Sequence, residues 1–145
     1  IPNLVGFKLP RITADIEKSG LAKKASIFVA GHFLATDAYK GAKGAYSNVC
    51  CLNPIAAQKW TDECLKLKPS ALELEARIQQ YMAQEIAPYI TDQGYCNAAV
   101  DKFMATLGGW SEMDSTMRFP FASISKGDVA KKLKVMDELL PEFRG

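Results

Sequence analysis

The sequence predicts an α/β chain: a parallel βαβαβ piece, like the last part of a barrel, followed by a helical appendage. Three observations predict it. Short apolar, strand-like runs stand at 4–8, 26–30 and 45–49, with helical patterns between them. The intervening helices have the length of crossovers between parallel strands. After Val49 the pattern becomes helical only.

The first strand is Leu4 to Lys8, and helical spacing then runs from Thr13 to Leu21. Ser26 to Ala30 forms the second strand and Leu34 to Lys40 the second helix. Ala45 to Val49 is the third strand, bracketed by the glycines of GAKGAYSN. Asn53-Pro54 sets a capping side chain before a proline, the preferred first helical residue, and opens a helix through Lys66. Ser70-Ala-Leu-Glu73 matches a capping box, with Leu74, Ile78, Tyr81, Met82 and Ile86 at helical spacing behind it. Asn97 opens a helix that carries Val100, Phe103, Met104 and Leu107 on one side and ends at Gly108-Gly109. Ser125 and Asp128 cap the last helix, lined by Val129, Leu133, Met136 and Leu140 and stopped by Pro141. The domain expectation is residues 1–68 as the last βα units and 69–145 as the helical extension. Parallel strands are usually covered on both faces, so three alone make a poor sheet. A longer polypeptide is expected, with this chain as its C-terminal portion.

Composition narrows the function classes. The 145 residues fit one domain, and 48% hydrophobic content supplies a core. The net charge of +2 is spread along the chain without a basic block, which argues against nucleic acid and against a polybasic membrane anchor. No apolar run approaches the roughly 18–20 residues that span a bilayer, and the start lacks the pattern of a signal peptide. Cys50, Cys51, Cys64 and Cys96 make no C-x-x-C pair, and His32 is the single histidine, so no metal site is expected. Adjacent Cys50-Cys51 is poor geometry for a bridge or a shared metal. The expectation is reduced, mostly buried thiols in a cytoplasmic protein. Trp60, Tyr81, Phe103 and Trp110 are expected in the core or a subunit interface.

One residue stands apart. Lys8 closes an apolar strand, and strand alternation puts Leu4, Gly6 and Lys8 on one face with Val5 and Phe7 on the other. The bulky pair suits the helix side, leaving Gly6 and Lys8 inward, with the glycine making room beside the lysine. Lys8 also lies at the C-terminal end of its strand, where barrel active sites form. A lysine among apolar groups favours its neutral form, the form that attacks a carbonyl to make a Schiff base. The structural alternative is a strand-end lysine whose head snorkels into water.

NLVGFK, then GAKGAYSN, then NP opening a helix, then RFPF before the final helix resemble, in order, the C-terminal half of one family. It is the dihydrodipicolinate synthase / N-acetylneuraminate lyase family of class I Schiff-base aldolases. The resemblance covers essentially the whole chain and implies strands six to eight of a (β/α)8 TIM barrel followed by a helical C-terminal extension. It implies Lys8 as the catalytic nucleophile. Gly31 and His32 would lie on the rim after strand seven, and Tyr46, Ser47 and Asn48 at strand eight, as substrate-binding residues. It implies that Arg118 in RFPF packs the tail onto the barrel. No cofactor and no metal are implied. The partners would be a small 2-oxo acid, an N-terminal segment of the same protein that completes the barrel, and further copies in a dimer or tetramer. Two features depart from the family. Leu9-Pro10 replaces the usual polar or small pair after the lysine, and the stretch from Gly31 to Gly41 is shorter than in the synthases.

The expected function is therefore a class I aldolase or lyase forming a lysine Schiff base with pyruvate or another 2-oxo acid. A dehydratase of a sugar-derived 2-oxo acid uses the same imine. A non-catalytic barrel homologue and a small helical interaction domain are the remaining classes.

Overall fold

The computed structural model of the chain describes residues 3–145. Three parallel strands, β1 (Gly6–Lys8), β2 (Ser26–Ala30) and β3 (Gly44–Tyr46), form one sheet in the order β1-β2-β3. Helix α1 (Ala14–Lys18) crosses from β1 to β2, and α2 (Leu34–Ala38) from β2 to β3. Then come α3 (Val49–Leu52), α4 (Pro54–Leu65), α5 (Pro69–Tyr81), a π-helical turn (Met82–Ile86), α6 (Ala87–Thr91), α7 (Asn97–Gly108) and α8 (Lys126–Leu139).

Local signals account for most boundaries. The Thr13 hydroxyl accepts from Ile16 N and caps α1. Asn53 Oδ1 accepts from Ile55 N and Ala56 N, each at 3.1 Å, and caps α4. Ser125 caps α8 through Asp128 N. Gly109, at φ 71°, ends α7 in the left-handed conformation that a side chain resists. β1 starts two residues later than expected, α1 and α2 end earlier, at Lys18 and Ala38, and three further boundaries differ. Helix α5 starts at Pro69, so Ser70 lies in its first turn instead of capping it; proline is the favoured first helical residue. The helical spacing through Ile86 contains a π turn, just ahead of Pro88, whose ring would clash in a regular helix. The third strand ends at Tyr46, and Val49 opens α3, because Val49 and Leu52 bury together on one helical face.

The chain divides into two compact units. The first runs through Asn48 and includes Gln58–Ala76. Its sheet buries Ile27 and Val29 completely on one face, over a core with Ile12, Leu34, Ala35, Trp60 and Cys64. Trp60 Nε1 donates to Ala71 O at 3.1 Å. The second unit, Val49–Ala57 with Arg77–Gly145, is all helical. It buries Leu52, Ile78, Tyr81, Tyr89, Phe103, Leu107, Met136 and Phe143. Helix α7 comes so near α3 that a Cβ on Gly108 would overlap the Leu52 carbonyl.

The cysteines do not match the buried expectation: Cys64 alone is buried, Cys50 is exposed, and Cys51 and Cys96 are intermediate. Trp110 lies beyond α7 and is 43% exposed, with its Nε1 donating to Cys51 O at 2.9 Å. Arg118 to Phe121 are exposed, Phe119 by 97% and Phe121 by 53%. Among the described residues no helix is long and apolar enough to cross a membrane.

Candidate active site at the carboxyl ends of the strands

Register decides which side chains share a face. Gly6 pairs with Ser26, Phe7 with Ile27 and Lys8 with Phe28; Phe28 pairs with Gly44, and Ala30 with Tyr46. Neighbours in register point the same way, so Phe7, Ile27, Val29 and Ala45 form the helix-side face. Lys8, Phe28, Ala30 and Tyr46 stand on the opposite, open face. The Phe28 and Tyr46 rings meet edge to face at 5.8 Å. Gly44 makes this possible, because a Cβ there would press within 3.1 Å of the Phe28 ring.

Lys8 is exposed on this open face. Gly6 also lets β1 approach β2: a Cβ on it would come within 2.8 Å of Ser26 O. Val5 is 80% exposed and Leu4 48%, so the strand is not buried as its composition suggests. The reason is topological. β1 is an edge strand, and among the described residues no strand pairs with its free side.

The loops that leave the strands form a rim. Leu9 N donates to Phe28 O at 2.8 Å and Ala30 N to Pro10 O at 3.3 Å, so the pair after Lys8 continues the ladder. Gly31 and Ser47 touch. A Cβ on Gly31 would overlap the Ser47 Oγ and Cβ, and would lie 3.0 Å from its Cα. His32 is half-buried, its ring 4.2 Å from that of Phe33. Burial, and secondarily the Arg11 guanidinium, hold its imidazole below the ordinary value of 6.5. It is therefore a neutral donor or acceptor at neutral pH. Tyr46 is 65% exposed, and Asn48 ends the loop before α3.

Two buried carboxylates that the sequence reading passed over hold this rim. Asp37 is completely buried and accepts from Ile12 N at 3.0 Å and Lys40 Nζ at 3.1 Å, with Arg11 Nη2 3.6 Å away. Lys40 also donates to Ile12 O, and Arg11 stacks over Phe33 at 4.2 Å. The loop after Lys8 is thereby tied to α2. Glu75, 2% exposed, accepts from Thr36 N at 3.1 Å and from the Thr36 hydroxyl, satisfying the first turn of α2 from α5.

No family model matches the chain, and no curated protein matches it. Among solved structures it is similar to YagE, a prophage protein from E. coli K12 belonging to the dihydrodipicolinic acid synthase family, crystallised in complex with pyruvate. The TM-score is 0.65 at 16% identity, over 95% of this chain and 47% of that one. That likeness shows the fold. The chain spans less than half the length of this neighbour. Three parallel strands with crossover helices and a helical remainder agree with the α/β expectation.

Proposed function

We propose that the chain is the C-terminal part of a (β/α)8 barrel, strands six to eight with a helical extension, of a Schiff-base aldolase or lyase acting on pyruvate or another 2-oxo acid. The observation that carries the proposal is Lys8: an amine at the carboxyl end of a parallel strand, on the open face of the sheet. A fold neighbour of the same family crystallised with pyruvate supports the choice of substrate class.

In this reading the neutral Lys8 amine attacks the ketone carbon, and the carbinolamine loses water to give an imine. The protonated imine accepts the electron pair of the breaking C–C bond, and the resulting enamine is reprotonated before hydrolysis frees Lys8. The Ser47 hydroxyl, Asn48 amide and backbone at Gly31 hold the substrate carboxylate or hydroxyl, and neutral His32 exchanges hydrogen bonds at the rim. Tyr46 walls the open face. The remaining strands come from an N-terminal segment of the same protein, which would add to the free edge beside exposed Leu4 and Val5. Assembly into a homo-oligomer in the cytoplasm belongs to the same proposal. No metal or dissociable cofactor enters it.

Leu9 and Pro10 bring no polar side chain beside Lys8. That observation favours, as the second reading, a dehydratase of sugar-derived 2-oxo acids or a binding protein that kept the barrel. Borohydride reduction in the presence of pyruvate tests the imine, which should be trapped on Lys8.

A further inference from the structure

We propose that Cys50 and Cys51 form a dithiol site for a trivalent, thiol-seeking metalloid such as an arsenic(III) species. Helix α3 buries Val49 and Leu52 completely, which turns the two intervening cysteines away from that core. Cys50 is exposed and Cys51 is half-buried, at successive positions of one turn, and Cys50 is among the neighbours that raise the Cys51 thiol. Their backbone is held on both sides. Trp110 Nε1 donates to Cys51 O at 2.9 Å, and the Leu52 carbonyl is seated against Gly108. The two cysteines thus stand side by side in sequence on a turn that is already ordered.

The chemistry separates this ligand from the alternatives. A disulfide requires the sulfurs about 2.05 Å apart with a specific dihedral, which neighbouring residues of a helix do not supply. A central atom bonded to both sulfurs lets them stay further apart. Soft thiolate donors select soft, thiophilic centres, and two donors suffice for trivalent arsenic carrying one other substituent. With an arsine oxide, R–As=O, two As–S bonds form, and the oxide oxygen leaves as water with both thiol protons. Arsenic stays trivalent, so no oxidant or reductant takes part. Burial and the Asp101 and Cys50 neighbours push the Cys51 thiol up to about 12. Its proton leaves with the oxide oxygen as the second As–S bond closes the ring. The site is independent of the imine chemistry.

Phenylarsine oxide added to the folded protein is the test, read by intact mass and peptide mapping. One phenylarsenic per chain is expected on the peptide that contains Cys50 and Cys51. It should survive excess monothiol and be removed by 2,3-dimercaptopropanol. C50S and C51S should each weaken retention about a hundredfold, within the gain expected from joining two donors. C50S alters an exposed position, so it reports on the site without disturbing the core. An adduct on Cys64 or Cys96, an adduct retained by C50S, or labelling only after denaturation would each overturn the proposal.

Discussion

Gly31→Ala tests the rim most sharply. Gly31 has no left-handed backbone conformation to lose, so any cost comes from contact alone. The new methyl would overlap the Ser47 Oγ and Cβ, and both belong to a loop anchored in the sheet. Forcing a methyl into packed surroundings costs about 1–3 kcal/mol. With 2 kcal/mol and a urea slope of about 2 kcal/mol/M, the midpoint should fall by about 1 M. The contact also predicts which second change relieves it. Ser47→Ala keeps the overlapping Cβ and should rescue nothing. Ser47→Gly removes it, leaving the Cα at 3.0 Å, and should restore about half of the loss through a coupling of ~1 kcal/mol. Urea denaturation of the parent, the three single variants and the two double variants decides the matter. A G31A protein within about 0.5 kcal/mol of the parent, or equal rescue by alanine and glycine, would refute the contact.

Asp37→Ala should cost about 3 kcal/mol, because it strands the buried Ile12 N–H and removes a charged acceptor, while Arg11 and Lys40 can still reach water; Asp37→Asn should cost about half as much in the same denaturation assay. His32, with its folded value below 6.5, resists the proton that the unfolded chain accepts, so stability should fall as pH drops through 6.5 and level off once folded His32 titrates. The single imidazole makes the NMR titration unambiguous, and Arg11→Gln should raise its midpoint. Cys64, pushed up to about 12 by burial and the Glu75 carboxylate, should resist iodoacetamide at mildly alkaline pH until the protein unfolds.

Strand β2 was legible to the residue, because Ile27 and Val29 alternate against partners on both sides. The alternation of β1 was legible but its exposure was not, because burial depends on a neighbouring strand, and no residue of β1 encodes one. The short α3 was hidden because Val-Cys-Cys-Leu has equal claims to strand or helix, and only the packing of Leu52 against Gly108 separates them. Caps at Asn53 and Ser125 were readable because each acts within three residues. The Asp37 and Glu75 contacts span 25 and 39 residues, and local pattern holds no trace of them. Lys8 was conspicuous as a charge at the end of an apolar run, while the meeting of Gly31 with Ser47 emerges only when β2 and β3 lie side by side.

The central claim is tested most directly by borohydride reduction of the folded protein with pyruvate, followed by tryptic mapping. A reduced imine on Lys8 blocks cleavage there, so the modified peptide should run through Lys8 to Arg11, and Lys8→Arg should abolish it. Unmodified Lys8 in a folded, pyruvate-treated sample, or trapping on another lysine that survives Lys8→Arg, would contradict the account.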